Sequence, residues 1–337
     1  MSIGDVYVKL NEELNYPPSE YLIRILKHML TEEEARLLLE LPGKPKELAK
    51  KLGMDEETVE AELKELWRKG IAVYAPELRM VHNLPWFHFC AAGPEDIITP
   101  EVLDLWKVFY EMEWHHHIPE RWDELRGKGH PMINKIIPAW KAVQNLPHLP
   151  PEQNLMKRIE GITLAAVMPC ACRRILRRCD TPLDNCLAFD GNAEDVISRG
   201  YAKKISKEEA FNIALSAERE RVGLIHMWFA VRKNFAFICN CCPCCCHIFN
   251  PGIESEKIDE VTEKSSFQAD IDRDLCNGCQ DCVERCPFNA ITMTSFPPSK
   301  KLKAVVDTEK CFGCAACAAG CETGAIRMVP VQEGQPL

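Results

Sequence analysis

The sequence predicts an α+β fold, in which mainly helical N-terminal and middle domains precede a C-terminal domain with pseudo-twofold symmetry. Helix-capping pairs and apolar residues at helical spacing recur over much of the first two thirds of the chain. The C-terminal part instead contains an internal repeat with an offset of 35 residues, and each copy has two short predicted strands. These features predict three domains, at residues 1–80, 81–255 and 256–337.

Length and charge limit the function classes. The chain has 337 residues, enough for two or three domains, and a formal net charge of -9. That charge argues against general binding of nucleic acid or of anionic membranes, since both need a basic surface. The N-terminal residues lack a secretory signal pattern. Apolar runs such as Gly161–Met168 and Val222–Val231 are shorter than the roughly 20 residues of a membrane span, so we expect a cytoplasmic protein without one.

Cysteine is the most informative residue type. The chain has 19 cysteines, and all except Cys90 follow Met168. In a reducing cytosol such residues do not form stable disulfides. Thiolates packed this closely usually share metal ions. The composition therefore predicts several iron–sulfur clusters, in a cell that avoids oxygen.

Residues 1–80 have a pattern of helices followed by a strand. Thr31 and Glu34 form a predicted capping box that opens one helix, and Asp55 is placed to cap another. Ile71–Tyr74 then suits a short strand. The order of helix, turn, helix and strand resembles a winged helix-turn-helix, which implies either DNA binding or a docking role.

Charge favours the docking role. Between Thr31 and Gly70 there are 11 acidic and 8 basic residues. The helix in the place of a recognition helix begins with Asp55, Glu56 and Glu57, where phosphates and base edges should lie. We therefore predict no nucleic-acid partner.

Besides Cys90, residues 81–255 contain ten cysteines in two groups. Thr99 and Pro100 begin one predicted helix, and a capping box of Ser206 and Glu209 begins another that extends to about Trp228. The two cysteine groups lie on either side of this second helix, and we hypothesise that they associate across it. Their candidate metal ligands are Cys170, Cys172, Cys179 and Cys186, then Cys239, Cys241, Cys242, Cys244, Cys245 and Cys246.

These ten thiols are sufficient for one or two further iron–sulfur clusters. Zinc binding and a redox-active dithiol are the alternatives. Four arginines lie within the first group, as two pairs spaced i, i+4 on a predicted helix; they would stabilise a reduced cluster, dock an acidic partner or form a solvated basic face. They are Arg173, Arg174, Arg177 and Arg178.

Histidines are weaker candidates for metal ligands. The run from His115 to His117 is predicted to form an exposed turn before Pro119, and His247 is a better ligand candidate because it follows Cys246. Three further residues are assigned to core or surface roles. They are His82, His88 and Cys90.

The C-terminal repeat carries the strongest motif. Each copy has four cysteines spaced C-x2-C-x2-C-x3-C. The first copy contains Cys276, Cys279, Cys282 and Cys286, and the second contains Cys311, Cys314, Cys317 and Cys321. This pattern resembles a bacterial-type ferredoxin with two 4Fe-4S clusters, over about a fifth of the chain. Zinc sites use C-x2-C pairs rather than two such runs in tandem.

The ferredoxin resemblance implies that three cysteines of one copy and the fourth of the other bind each cluster. The implied sets are Cys276, Cys279, Cys282 and Cys321 for one cluster, and Cys311, Cys314, Cys317 and Cys286 for the other. Both clusters are then closed by cysteine and transfer single electrons. Glu322 replaces the proline that follows the last cysteine of the first copy.

Two broader resemblances concern the middle domain. The pattern of both cysteine groups is similar to that of 4Fe-4S dicluster proteins of anaerobes, and the adjacent cysteines resemble motifs of heterodisulfide reductase catalytic subunits. The CCG motif of those subunits is absent, since Pro243 follows Cys242.

The sequence therefore predicts an iron–sulfur electron-transfer protein that serves a redox partner protein, as a component of an oxidoreductase system rather than a complete enzyme. One alternative is a reductase whose unusual middle-domain cluster is fed by the ferredoxin clusters. The other is a redox-responsive DNA-binding regulator.

Overall fold

The structure of the chain is a computed structural model that describes residues 3–74, 77–82, 84–127, 134–219, 225–231, 234–298 and 300–331. It contains two compact units. The N-terminal unit consists of Met1–Trp114, Ala171–Arg177 and Ile197–Tyr201, and the C-terminal unit consists of His115–Cys170, Arg178–Val196 and Ala202–Leu337. The three-domain division of the sequence stays a prediction.

The helices of the described ranges are numbered in chain order. They are α1 (Ile3–Glu13), α2 (Glu20–Met29), α3 (Glu32–Leu39), α4 (Pro45–Leu52), α5 (Glu56–Arg68), α6 (Leu84–Phe87), α7 (Pro100–Phe109), α8 (His115–Gly127), α9 (Trp140–Val143), α10 (Leu155–Gly161), α11 (Ala171–Leu176), α12 (Asp190–Ser198), α13 (Lys207–Arg219), α14 (Phe249–Glu254), α15 (Asp281–Glu284) and α16 (Ala316–Gly320). Tyr110–Trp114 is a π-helical turn, and short 3-10 turns occur at His88–Ala92, Pro151–Gln153 and Ile258–Glu260.

The strands are numbered in the same way. They are β1 (Ala72–Tyr74), β2 (Leu78–Met80), β3 (Asn134–Ile137), β4 (Ala165–Pro169), β5 (Asp184–Phe189), β6 (Lys203–Ile205), β7 (Ile225–Val231), β8 (Asn234–Cys241), β9 (Thr262–Glu263), β10 (Phe267–Ile271), β11 (Ile291–Ser295), β12 (Leu302–Val306) and β13 (Ile326–Pro330). Together with the helices they make the α+β fold that the sequence predicts.

Local capping defines the helices of the N-terminal unit. The Glu34 amide donates to Thr31 Oγ1 over 3.2 Å, and the Thr31 amide donates to Glu34 Oε2 over 2.9 Å, which confirms the predicted capping box. Asp55 accepts from the Thr58 amide and caps α5 as predicted. An antiparallel pair of β1 and β2 follows α5.

Two later segments complete the N-terminal unit. The guanidinium of Arg199 donates to the backbone oxygens of Trp67 and Ala72, and the Tyr201 hydroxyl donates to the backbone oxygen of Arg68 over 2.8 Å. These bonds satisfy carbonyl groups at the end of α5 and at the start of β1. The unit therefore includes contacts between residues more than a hundred positions apart in the chain.

A seven-stranded sheet organises the C-terminal unit, with the strand order β6-β4-β5-β8-β7-β3-β9. Its pairings are antiparallel except for β3 with β9. α13 packs on one face over a core that includes Leu187, Phe189 and Ile238. The prediction of a mainly helical middle domain missed this sheet, although helical residues outnumber strand residues between positions 81 and 255.

The predicted helix from Ser206 to about Trp228 is also too long. Its capping box is present, since the Glu209 amide donates to Ser206 Oγ over 3.0 Å, but α13 ends at Arg219. Trp228 belongs to β7, and residues 220–224 lie outside the described residues. β7 is rich in aromatic and β-branched residues and lies between two other strands, and such residues pack well on a pleated sheet.

The C-terminal repeat forms two antiparallel strand pairs, β10 with β13 and β11 with β12. In the first pair Phe267 lies opposite Pro330, and in the second Ser295 lies opposite Leu302. Adding 35 to position 267 gives 302, and subtracting 35 from position 330 gives 295. The repeat offset therefore relates the register of one strand pair to that of the other. Each pair thus joins one strand from each copy of the repeat.

Candidate metal centres

Four cysteines surround one cavity in the repeat region. They are Cys276, Cys279, Cys282 and Cys321. Asp281 and Glu322 also line this cavity, and none of the described residues that line it is basic. Cys279 is exposed. We call this cavity the outer cavity, and its four thiols are the set that the ferredoxin resemblance implies for one cluster.

Four other cysteines surround a second cavity. They are Cys286, Cys311, Cys314 and Cys317. Phe288 and Phe312 line it as well, with their rings stacked at a centroid distance of 4.3 Å. We call it the inner cavity, because burial raises the pKa of Cys314 to about 12 and also raises that of Cys317. In both cavities the fourth thiol comes from the other copy of the repeat.

Backbone conformation shapes the cysteine loops in the same way in both copies. Gly278 and Gly313 have positive φ angles of 80° and 66°, and Gln280 and Ala315, two residues further on, have 73° and 62°. A Cβ atom at Gly278 would lie 2.5 Å from the Leu302 carbonyl oxygen. Only glycine therefore fits at this close approach of two backbones.

An aspartate begins each cysteine loop. Asp272 Oδ1 accepts from the amide of Asp274 over 2.9 Å, and Asp307 Oδ1 accepts from the amide of Glu309 over 3.0 Å. The amide of Cys276 donates to the backbone oxygen of Asp272, and Cys311 does the same to Asp307, both over 3.1 Å. These aspartates form turns and do not line the cavities.

The thiol chemistry of both cavities fits an iron–sulfur cluster. Burial, together with the neighbouring Cys279 and Cys276, raises the pKa of Cys282 to about 11, so the Cys282 thiol would be neutral at pH 7 without a cation. A metal centre compensates such thiolates and displaces their protons. Four converging thiols at each cavity supply the complete ligand set of a cubane.

Arg285 is a cation beside the inner cavity that sequence reasoning missed. Its Nε donates to the backbone oxygen of Ala316 over 2.8 Å, and its Nη2 donates to that of Glu218 over 2.7 Å. Burial lowers its pKa, although Cys317 and Cys314 oppose that effect. The repeat contains a sequence signal for this arginine, since its counterpart 35 residues later is Gly320. A Cβ at position 320 would collide with the arginine side chain.

A buried polar network extends from Glu218. Its carboxylate accepts from the amides of Trp140 and Lys141, and it lies 3.1 Å from His226 Nε2. The other imidazole nitrogen, Nδ1, lies 2.7 Å from Asn240 Oδ1. Asn240 lies between Cys239 and Cys241 on β8, so this network ends beside middle-domain cysteines.

Residues from both cysteine groups of the middle domain meet in the C-terminal unit. Cys179 Sγ lies 3.7 Å from Cys242 Sγ and 3.9 Å from Cys245 Sγ, and Cys244 Sγ lies 3.7 Å from Cys245 Sγ. All four sulfurs lie within 4.8 Å of one another. We call these residues the four-thiol site. Cys179 and Cys244 are half-buried, whereas the other two are buried.

Five other cysteines form a buried chain of hydrogen-bonded thiols, which we call the five-thiol array. Cys186 bonds to Cys170 and Cys239, and Cys241 bonds to Cys239 and Cys246. Hydrogen bonds from Cys186 and Cys241 lower the pKa of Cys239 to about 6. The array forms because β5 and β8 are neighbouring strands, and because Cys239 and Cys241 lie on one face of β8.

The tenth middle-domain cysteine, Cys172, belongs to the N-terminal unit. Its Sγ lies 3.6 Å from His88 Nε2, and His88 is buried. Cys90 is buried in the same unit, where desolvation raises the pKa of its thiol. His82 is exposed and pairs with Glu13.

The expected turn at His115–His117 is wrong, because these residues begin α8 and Pro119 lies inside that helix. His116 and His117 are exposed, and His247 is buried in the turn after Cys246.

The predicted stacking of the arginines is also wrong, because α11 ends at Leu176 and Arg177 has a positive φ of 51°. Arg174 donates to the backbone oxygen of Ala91, and Arg177 pairs with Asp104. Arg178 donates to the backbone oxygen of Cys244 over 3.4 Å. Arg177 and Arg178 are exposed, whereas Arg173 is buried.

Comparison with known families supports the ferredoxin assignment. A family model described as a 4Fe-4S dicluster domain matches residues 275–325. That match includes all eight cysteines of the two cavities. Residues 275–325 form a 4Fe-4S dicluster domain. No curated protein matches the chain.

The match to a 4Fe-4S dicluster domain supports iron–sulfur electron transfer as the general function of this chain. Within the described ranges, no helix combines the length and apolar character needed to cross a membrane.

Proposed function

We propose that this protein carries single electrons from a redox partner, through the dicluster domain, to a further iron–sulfur centre in its middle domain. One observation carries the proposal: the dicluster domain has two four-thiol cavities, one with an exposed cysteine and one in contact with the middle domain, where the Ala139 amide donates to the Cys314 oxygen over 2.9 Å. The outer cavity contains exposed Cys279, whereas burial raises the pKa of Cys314 at the inner cavity to about 12. A surface cluster can exchange electrons with a partner, and a buried one can pass them inward.

The ligand sets are part of this proposal. The outer cluster takes Cys276, Cys279, Cys282 and Cys321, and the inner cluster takes Cys286, Cys311, Cys314 and Cys317. The cavity linings support both sets. The matching registers of the two strand pairs support pseudo-twofold symmetry of the domain.

Direct packing supports the inward step. Phe249 begins α14 three residues after Cys246 of the five-thiol array, and its ring lies 6.0 Å from that of Phe288. Phe288 stacks on Phe312, and both line the inner cavity. Short through-protein distances favour electron transfer, and this aromatic contact joins the inner cavity to the segment that follows the array.

The five-thiol array is the proposed site of the further cluster. Its hydrogen bonds run in a line from Cys170 to Cys246, and no three of its sulfurs lie within 4.8 Å of one another. Thiols spread in this way suit a centre with several metal ions, each bound by a different thiolate. All five residues are at most 8% exposed, so a substrate disulfide cannot reach them. This burial favours a carrier over the reductase alternative.

The regulator alternative lacks comparable support. Glu56 and Glu57 are exposed at the start of α5, and Asp55 caps that helix. These carboxylates would repel DNA phosphates. A docking role for the helices of the N-terminal unit is the simpler proposal.

The test is iron and sulfide analysis of the full chain purified without air. We expect about twelve irons per chain, of which about eight belong to the dicluster domain. Cys186→Ser should remove about four irons and leave the dicluster signals unchanged. Cys279→Ser should perturb the outer cluster instead, and Cys90→Ser, a buried thiol outside all the groups, should change neither.

Electron paramagnetic resonance after dithionite reduction then assigns each signal. A chain that does not bleach on reduction, or that holds no acid-labile sulfide, would contradict the carrier function. A chain with about eight irons would retain the dicluster domain and contradict the further cluster.

A further inference from the structure

The four-thiol site differs from every other cysteine group of the chain in its compactness. Cys179, Cys242, Cys244 and Cys245 have all their sulfurs within 4.8 Å of one another. Among the described residues, no three cysteines at the outer or the inner cavity are as close. The sulfur atoms are therefore closer together at the four-thiol site than at the two cavities of the dicluster domain.

The distance between thiolate sulfurs differs between a single metal ion and a cubane. A single metal ion with four sulfur ligands at about 2.3 Å in tetrahedral geometry sets the sulfurs about 3.8 Å apart. In a cubane each thiolate binds a different iron, so the thiolate sulfurs stand outside separate corners of the cluster and lie farther apart. The measured distances of 3.7, 3.9 and 3.7 Å at the four-thiol site agree with a single ion.

The surrounding backbone holds the four sulfurs in place. Cys179 lies shortly before β5, and the other three follow β8, the neighbouring strand. A hydrogen bond of 3.1 Å from the Cys246 amide to the Cys242 oxygen closes the turn that contains Cys244 and Cys245. Arg178 donates to the Cys244 oxygen and to Asn250, which ties the two segments together.

We propose that the four-thiol site binds one zinc ion in a closed tetrahedral site. Tetrahedral sites of four thiolates select zinc or iron, and zinc stands above ferrous iron in the affinity order of divalent metals. Four protein ligands leave no open position, so the ion is structural and not catalytic. It fixes the segment between Cys242 and Cys246 against the one that leads into β5.

The experiment measures zinc and iron separately in the full chain, purified without air from cells supplied with both metals. We expect one zinc per chain, and X-ray absorption at the zinc edge should show four sulfurs at about 2.3 Å. Cys244→Ser is the main variant, because Cys244 is one of the two half-buried residues of the site. It should lose most of the zinc and keep the iron content and the visible spectrum of the wild type.

Cys279→Ser is the matched control, since it changes a cysteine of the outer cavity. It should lose iron and keep zinc. Because the two variants affect different metals, failure of the zinc proposal is distinct from failure of the electron-transfer proposal.

Three results would overturn the proposal. Loss of about four irons from Cys244→Ser would place a cubane at this site. A mononuclear iron signal that disappears in the same variant, with no zinc in the wild type, would make iron the bound ion. If the variant does not fold, X-ray absorption at the zinc edge of the wild type still tests the proposal. Fewer than four sulfurs around zinc would contradict it.

Discussion

At the scale of single residues, the cavities of the dicluster domain depend on two glycines that admit a neighbouring backbone. A Cβ at Gly278 would meet the Leu302 oxygen, and one at Gly313 would meet the Phe267 oxygen at still shorter range. Both carbonyl groups belong to strands that border the cysteine loops. The loops therefore cannot keep their shape with a side chain at either position.

We predict that Gly313→Ala disrupts the inner cluster. The added methyl group must displace the Phe267 backbone, and the positive φ of 66° at position 313 is strained for alanine. The purified variant should contain about half of the dicluster iron, roughly four atoms, by iron analysis. Gly324→Ala is the control, because its φ is 68° but no atom lies within 4 Å of the added Cβ. Equal iron loss in both variants would show that strain, and not the collision, is responsible.

Arg285 provides a second prediction at this scale. Its charge lies beside Cys317 and Cys314, and reduction adds negative charge to the inner cluster. Arg285→Met should therefore lower the reduction potential of that cluster, by roughly 90 mV if the charge acts over about 8 Å at an effective dielectric constant near 20. Potentiometric titration followed by electron paramagnetic resonance measures the shift. Arg285→Lys keeps the charge and should shift the potential much less; an equal shift would exclude the electrostatic explanation.

At the scale of the helices and strands, caps were predictable and strand pairing was not. Thr31, Asp55 and Ser206 cap their helices as the sequence indicates, because capping depends on residues within one turn. The seven-stranded sheet depends on pairings between distant segments, such as Leu187 with Ile238. The apolar run of β7 fits a helix or a strand equally well until its neighbours are known.

The same reason limits what the sequence indicates about the metal sites. Three of the four cysteines at each dicluster cavity lie in one local loop and could be grouped from their spacing, whereas the fourth comes from the other copy of the repeat. The division of the middle-domain thiols depends on β5 lying beside β8, and on the alternation of side chains along β8. Cys239 and Cys241 therefore join the five-thiol array, whereas Cys242, one residue further on, belongs to the four-thiol site.

The capping box gives a prediction about stability. Thr31→Ala removes the acceptor for the Glu34 amide and should lower the free energy of unfolding of the N-terminal unit by about 1 kcal/mol. Urea unfolding followed by far-ultraviolet circular dichroism measures it. Thr31→Ser retains the hydroxyl group and should unfold close to the wild type; a loss of similar size in both variants would contradict the capping role.

At the scale of the whole molecule, charge around the outer cavity predicts the kind of partner. Asp281 and Glu322 line that cavity, and the chain carries a net charge of -9. A partner with a basic docking surface would approach the outer cluster fastest. Because salt screens such attraction, electron transfer should slow as ionic strength rises.

We predict that the double variant Asp281→Asn, Glu322→Gln reduces basic cytochrome c several-fold more slowly than the wild type at low salt. Stopped-flow absorbance of the haem protein, with prereduced protein as the donor, gives the rates. The difference should shrink at high salt. Glu208→Gln, an exposed carboxylate on α13 that does not line the cavity, is the control. An equal effect of the control would assign the rates to net charge alone.

The long-range bonds of Arg199 and Tyr201 to the end of α5 also have a consequence for biosynthesis. Carbonyl groups near position 70 receive their donors only after residue 201 has left the ribosome. The first unit to be translated is therefore completed late, after three strands of the large sheet, β3, β4 and β5, have left the ribosome. A gene fragment that stops after residue 114 would lack two segments of the N-terminal unit, Ala171–Arg177 and Ile197–Tyr201. Expression of this unit alone should therefore retain both segments.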